Sequence, residues 1–271
     1  MRIGNVDVMI DGAGPQAIVM IHGWPDTHAL WDAQVDALKG HMRCVRFTLP
    51  GFDLSRKGRA YSLAEVVGAI RRVVEEACPD QRVSLLLHDW GCFFGYQFAT
   101  RHPQFVARVI GVDIGDAGSR CHRAELGTKG MLMVAAYQMW LALAWRVGGR
   151  IGNAMSRWMA RVLRCPADPR RIGSQMGYPY ALTWLGVSGG LRGLRAFDPH
   201  CPMLYIYGER KPLMFHSRAW IRRLAKGPGN RVIGLPTGHW VMIERKRAFN
   251  NTLLSWLTET ENQKARSLTH G

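Results

Sequence analysis

The sequence predicts an α/β fold: a mostly parallel central sheet flanked by helices and interrupted once by a helical insertion. Short apolar runs that end in turn residues alternate with segments of helical spacing at both ends of the chain, and the stretch between loses every strand pattern. The runs are QAIVMIHG (16–23), MRCVRFTLPG (42–51), RVSLLLHDWG (82–91) and Val106 to Asp113, then PMLYIYG (202–208) and NRVIGLP (230–236). Runs without polar alternation suit strands covered on both faces, as in a parallel sheet. Helical spacing near 28–39, from Gly91, and near 63–78, 215–225 and 241–258 supplies the connections. A core is therefore expected over 1–117 and 198–271, and a helical unit over 118–197.

With 271 residues, 47% apolar and 21% charged, the chain can bury one domain carrying an insertion, and it is neither disordered, collagenous nor coiled-coil. Its 36 Lys and Arg against 20 Asp and Glu leave a formal charge of +16. About +10 of that lies between Gly118 and Arg195, where twelve cations face only Glu125 and Asp168. Arg146, Arg150, Arg157, Arg161 and Arg164 recur at spacings that share one face of a continuous helix. Such a face is ordinarily just solvated. Its functional version is a weak contact with an anionic membrane surface, with Met131 to Trp145 as apolar partner; no nucleic-acid-binding motif is present. That uncharged run has 15 residues, short of the roughly 20 that span a bilayer. Six cysteines without a C-x-x-C pair read as reduced thiols, and the amino terminus has no secretory pattern, so a cytoplasmic location is expected. No metal or cofactor motif occurs.

The third run ends in His88-Asp89-Trp90-Gly91, a strand-to-helix turn with small residues where the chain passes close to itself. Asp89 at its apex can be a helix N-cap or a nucleophile, and this turn alone favours neither. Three other strand ends weigh for chemistry: His22-Gly23-Trp24-Pro25-Asp26, Leu49-Pro50-Gly51-Phe52-Asp53, and Gly238-His239-Trp240 after the last strand.

These motifs, in this order, resemble the α/β-hydrolase superfamily over nearly the whole chain, and within it the epoxide hydrolases and haloalkane dehalogenases that carry an aspartate nucleophile. The resemblance implies that Asp89 attacks a saturated carbon to form an alkyl ester. His239 then activates the water that hydrolyses the ester, and the backbone amides of Trp24 and Trp90 form the oxyanion hole. It implies no metal or organic cofactor and a small apolar substrate. Many relatives place the histidine's acid after the run 202–208, where this chain has Lys211. Asp116 is then the leading acid, as in one dehalogenase subgroup, with Asp113 and Glu209 in reserve.

The leaving group separates the two chemistries. An epoxide releases an alkoxide that needs a proton or strong donors, which phenols supply; a halide needs only weak donors such as indole N–H groups. Tyr137-Gln138 is similar to the first cap tyrosine of epoxide hydrolases. Tyr180, rather than Tyr178, is the expected second, upstream of Gly189-Gly190-Leu191-Arg192-Gly193. Amphipathic packing is the bland alternative for each. The expectation is an epoxide hydrolase making a vicinal diol; the alternatives are a haloalkane dehalogenase with the same nucleophile and base, or a non-catalytic ligand-binding homologue.

Overall fold

The computed structural model describes residues 1–269, so the last two positions of the expected core segment 198–271 lie outside the described residues. Eight strands form one sheet. They are β1 (Arg2–Ile3), β2 (Val6–Asp11), β3 (Gln16–Ile21), β4 (Met42–Phe47), β5 (Val83–His88), β6 (Val106–Val112), β7 (Met203–Gly208) and β8 (Arg231–Leu235). Their spatial order is β1-β2-β4-β3-β5-β6-β7-β8; β1 and β2 are antiparallel to their neighbours and the other pairings are parallel. The short β1–β2 hairpin is missing from the sequence reading, because an edge strand with exposed alternate residues carries no continuous apolar run.

The helices of the core are α1 (Asp32–Leu38), α2 (Leu63–Ala77) and α3 (Trp90–Arg101). Ser62 and Glu65 start α2 with a reciprocal capping box, which satisfies two amide donors that have no partner within the helix. Successive strand residues go to opposite sides of the sheet. Val19, Ile21, Leu85, Leu87 and Tyr205 pack with α2 and α3 on one face, whereas Ile18, Met20, Leu86 and Ile206 face α1 and the carboxy-terminal helices.

The segment between β6 and β7 is helical: α4 (Arg120–Val147), α5 (Gly149–Val162) and α6 (Tyr178–Leu185), with short 3-10 turns. Gly127 breaks the regularity of α4 at φ +61°, and Gly148 and Gly149 turn the chain into α5 at φ +65° and +55°. Leu141, Met159, Ile172, Tyr178 and Leu182 of this segment join the same buried cluster as the face of the sheet that packs on α2 and α3. After β7 come α7 (Arg218–Leu224), β8, α8 (Val241–Glu244) and α9 (Lys246–Thr269). The helical stretch expected near 241–258 is thus divided, at Arg245. Among the described residues, no helix is long and apolar enough to cross a membrane.

Candidate active site

Because β3 and β5 are parallel neighbours, the turns that follow them lie side by side. Asp89 occupies the second turn at φ +53°, ψ −123°, a left-handed conformation that costs a non-glycine residue about 1–3 kcal/mol. The adjoining glycines make room: a Cβ on Gly91 would sit 2.2 Å from the Ile21 carbonyl oxygen, and one on Gly23 would sit 2.2 Å from Asp89 Oδ1. Asp89 stands at the N-cap position of α3, yet its side chain makes no capping bond. Its Oδ1 accepts a 2.7 Å hydrogen bond from the Trp24 amide, and Oδ2 lies 3.5 Å from His239 Nε2.

The other imidazole nitrogen, Nδ1, meets Asp113 Oδ2. This corrects the expectation for the acid. Asp116 does not reach His239: its oxygens accept from the Ser217 amide (2.6 Å), the Ser217 hydroxyl (2.8 Å) and the Ser119 hydroxyl (2.6 Å), tying the start of α4 to the start of α7. The reason is where the strand stops. β6 ends at Val112, so the residue at its tip is Asp113, and three further residues carry the chain past the imidazole. Glu209 is exposed and also makes no contact with it. Asp113 is fully buried, and its second oxygen accepts from the Gly208 amide (2.9 Å) and from Lys211 Nζ (2.6 Å). Lys211, which stands where the resemblance implied an acid, therefore pairs with Asp113 instead. Lys211 stood out in the sequence only as a missing carboxylate; that a buried acid would need a counter-charge was the available clue.

Burial pushes the Asp113 carboxyl up, but the charges of Lys211 and His239 and their hydrogen bonds outweigh it, so the group is held below the usual carboxylate range. Asp89 behaves the same way: burial opposes ionisation, and the His239 hydrogen bond and charge and the Trp90 amide reverse the balance. His239 lies between the two carboxylates. Burial lowers its basicity, while Asp113 and then Asp89 raise it to about 9. His88, its ring tilted 42° to that of His239 with centroids 4.5 Å apart, is pushed down to about 3 by burial and stays neutral, its Nε2 3.2 Å from the His239 carbonyl. Asp26 is a further buried acid the sequence reading left unused. Burial lifts it to about 7 despite a 2.9 Å bond from Trp240 Nε1.

The sheet order β4-β3-β5-β6 and the Asp89–His239–Asp113 geometry at the strand ends are accompanied by a family match: the profile described as alpha/beta hydrolase fold covers residues 16–246. The chain belongs to this family. Curated relatives include epoxide hydrolase 1 of Caenorhabditis elegans, 33% identical over 105 residues (38% of this chain, 26% of that protein). Epoxide hydrolase B of Mycobacterium tuberculosis is 34% identical over 112 residues (40% of this chain, 31% of that protein). The matched segments thus span about a quarter to a third of these relatives' lengths. The crystal structure of Bacillus megaterium epoxide hydrolase in complex with an inhibitor superimposes with a TM-score of 0.71, at 21% identity, over 95% of this chain and 99% of that one, which establishes the shared α/β-hydrolase fold.

In this α/β hydrolase the inserted helices supply the aromatic surroundings of Asp89. Tyr180 is buried and meets the Trp90 ring edge-on at 5.2 Å, the Trp24 ring at 6.0 Å and the Tyr137 ring at 6.2 Å. Tyr178 points elsewhere, against Phe52 and Tyr61, and its hydroxyl has no hydrogen-bond partner. Gln138 Nε2 donates to Tyr137 Oη at 3.1 Å. The buried Trp24 Nε1 also has no partner. Cys165, half-buried, comes near enough to Asp26 and Asp89 for their charges to add to the effect of burial, which raises its thiol. Among the described residues, no three His, Cys, Asp or Glu side chains are grouped to hold a metal ion. A separate cleft of about 450 Å³, lined in part by His28, Thr48, Asp53, Arg56 and Arg171, includes neither Asp89 nor His239.

Proposed function

We propose that this α/β hydrolase opens an epoxide to a vicinal diol through an ester on Asp89, with residues 118–197 as a cap domain over the site. The observation that carries the reading is the carboxylate itself: an ionised Asp89, one oxygen on the Trp24 amide and the other facing His239, with Tyr180 and Tyr137 alongside. A carboxylate needs no base to attack a saturated carbon. Its oxygen forms a bond to a ring carbon, the ring C–O bond breaks, and the alkoxide takes a proton from a phenol, leaving a hydroxyalkyl ester.

Forming that ester also prepares the second step. Asp89 loses its negative charge, so one of the two anions that raise His239 disappears, and the imidazolium gives its proton to restore the phenol that ring opening left as a phenolate. The neutral ring then takes a proton from water, whose oxygen attacks the ester carbonyl. The amides of Trp24 and Trp90 hold the resulting oxyanion, and Asp113 stabilises the imidazolium. Collapse breaks the acyl C–O bond, the departing oxygen takes the proton of the added hydroxyl, and the diol leaves with Asp89 again a carboxylate and His239 again protonated. The similarity to epoxide hydrolases of known name supports this substrate class.

The unpartnered indole N–H of Trp24 favours a second reading, halide binding by a haloalkane dehalogenase. Single-turnover mass spectrometry of His239→Gln separates them. With styrene oxide the expected product is protein plus the whole epoxide, because opening expels nothing. An adduct formed only from 1-bromobutane, short of the bromine, establishes the dehalogenase. No adduct from either leaves the non-catalytic ligand-binding reading.

A further inference from the structure

The helical insertion carries an outward surface that the proposed chemistry does not use. Along α4, Leu132, Ala136, Leu143 and Val147 recur at intervals of four and seven, and all are exposed. Along α5 the exposed apolar residues are Ile151, Trp158 and Val162, again at helical spacing, while Gly152, Ser156, Met159 and Ala160 turn inward. The two stripes are joined, because the Trp140 and Trp158 rings lie 4.9 Å apart and Trp140 Nε1 bonds the Met155 carbonyl. Ile151 is 68% exposed, Leu132 65% and Val147 54%. Scattered single leucines are normal on a surface, but a continuous two-helix stripe is not.

The cations lie beside that stripe. Arg150 and Arg161 project along an adjoining edge of α5, and Arg146 stands at the end of α4. The single continuous helix expected for all five arginines does not form: the chain turns at Gly148 and Gly149, Arg164 follows the end of α5 at φ +54°, and half-buried Arg157 donates its Nε to the Ile172 carbonyl at 3.1 Å. Among the described residues, Arg170 with Asp168 is the single ion pair made within residues 118–195, so none of these five arginines has a carboxylate partner. A helix with large apolar side chains in one exposed sector and arginines beside it has the pattern of one that lies in a membrane interface.

We propose that α4 and α5 dock this face on an anionic phospholipid surface, Ile151, Trp158, Leu143 and Val147 entering the interfacial layer and the arginines pairing with phosphate headgroups. Charge decides the occupant. A second copy would bring one cationic face against another, whereas an anionic bilayer neutralises it. Neither helix spans; the binding is peripheral, and it does not depend on the epoxide reading.

The test is co-sedimentation of the full chain with phosphatidylcholine vesicles, with and without phosphatidylglycerol. The expected result is binding to the phosphatidylglycerol vesicles, falling as NaCl rises from about 0.05 to about 0.5 M. Each of Arg150→Gln, Arg161→Gln and Arg164→Gln weakens it about fivefold. Trp158→Ser weakens it about tenfold, and Ile151→Ser by a similar factor. Thermal melting checks that each variant is folded. Binding that ignores lipid charge, or no binding by the wild type, overturns the proposal. So does a concentration-dependent dimer abolished by Trp158→Ser, which assigns the face to a second copy.

Discussion

The strand-end site and the helices above it treat charge in opposite ways. Around His239 every charge is answered: Asp89 by the imidazole and the Trp24 amide, Asp113 by the imidazole, Lys211 and Gly208. In the insertion twelve cations face two acids, and a single ion pair forms among the described residues. Buried charges must find partners inside the protein, because the cost of leaving one alone is several kcal/mol. Exposed arginines pay no such penalty and stay available to whatever meets the surface. One region is therefore set by its own geometry, the other by its surroundings.

Substituting the paired acids should have the largest effect. Asp113→Asn is expected to slow hydrolysis of the Asp89 ester by about 10³–10⁴-fold, since an amide neither fixes the His239 tautomer nor stabilises its cation. Asp116→Asn, three residues on, should leave turnover within about threefold and lower the melting temperature by about 2–6 °C through the weakened bonds to Ser217 and Ser119. Steady-state rates with calorimetry distinguish them, and equal rate losses would break the assignment of the acid. Next come the tyrosines that the insertion lends to the site. Tyr180→Phe should cost about 10–100-fold in ester formation from an epoxide, measured by rapid-quench kinetics, while Tyr178→Phe, which removes a hydroxyl without a partner, should change it less than about twofold.

Lys211→Met probes the counter-charge. Without the ammonium, the whole field of Asp113 falls on the imidazole, so a higher pH is needed to make the base neutral. The acidic limb of the hydrolysis step should move up by about one pH unit, costing about tenfold near neutrality, with less change at alkaline pH. An unmoved limb limits Lys211 to structural support. The smallest effect concerns stability. His239 is raised when folded, so its contribution is complete below the unfolded value near 6.5 and is lost as pH rises through about 9. Asp89 and Asp113 are lowered, so their contributions are present above about pH 4 and fade on acidification. Between pH 6.5 and 9.5 the wild type should lose on the order of 5 °C more in melting temperature than His239→Gln, as followed by calorimetry.

How much of this was legible in the sequence depended on whether a feature leaves a local trace. The strands β3 to β8 showed as apolar runs, and the turn at Asp89 and His239 showed as spaced motifs with small neighbours. The run Val106 to Asp113 located the end of β6, but the acid was assigned to Asp116 by resemblance to one subgroup; which carboxylate meets an imidazole 126 residues away is set by the folded strand end, and no local spacing records it. The Lys211 bond joins residues 98 apart, so no window of sequence contains it. In the insertion, spacing gave the helices but not which face the core takes: Leu141 and Ala144 turn inward while Leu143 and Val147, equally apolar, face solvent.

The neighbouring placement of β6 and β7 makes one carboxylate the concern of both strands. Asp113 stands at the tip of β6 and meets His239, while its counter-charge and a further amide come from the end of β7, at Lys211 and Gly208. Carrying the acid across to β7 therefore takes two changes together: Lys211→Asp alone would set a second, largely buried anion against Asp113 in place of the cation that holds it.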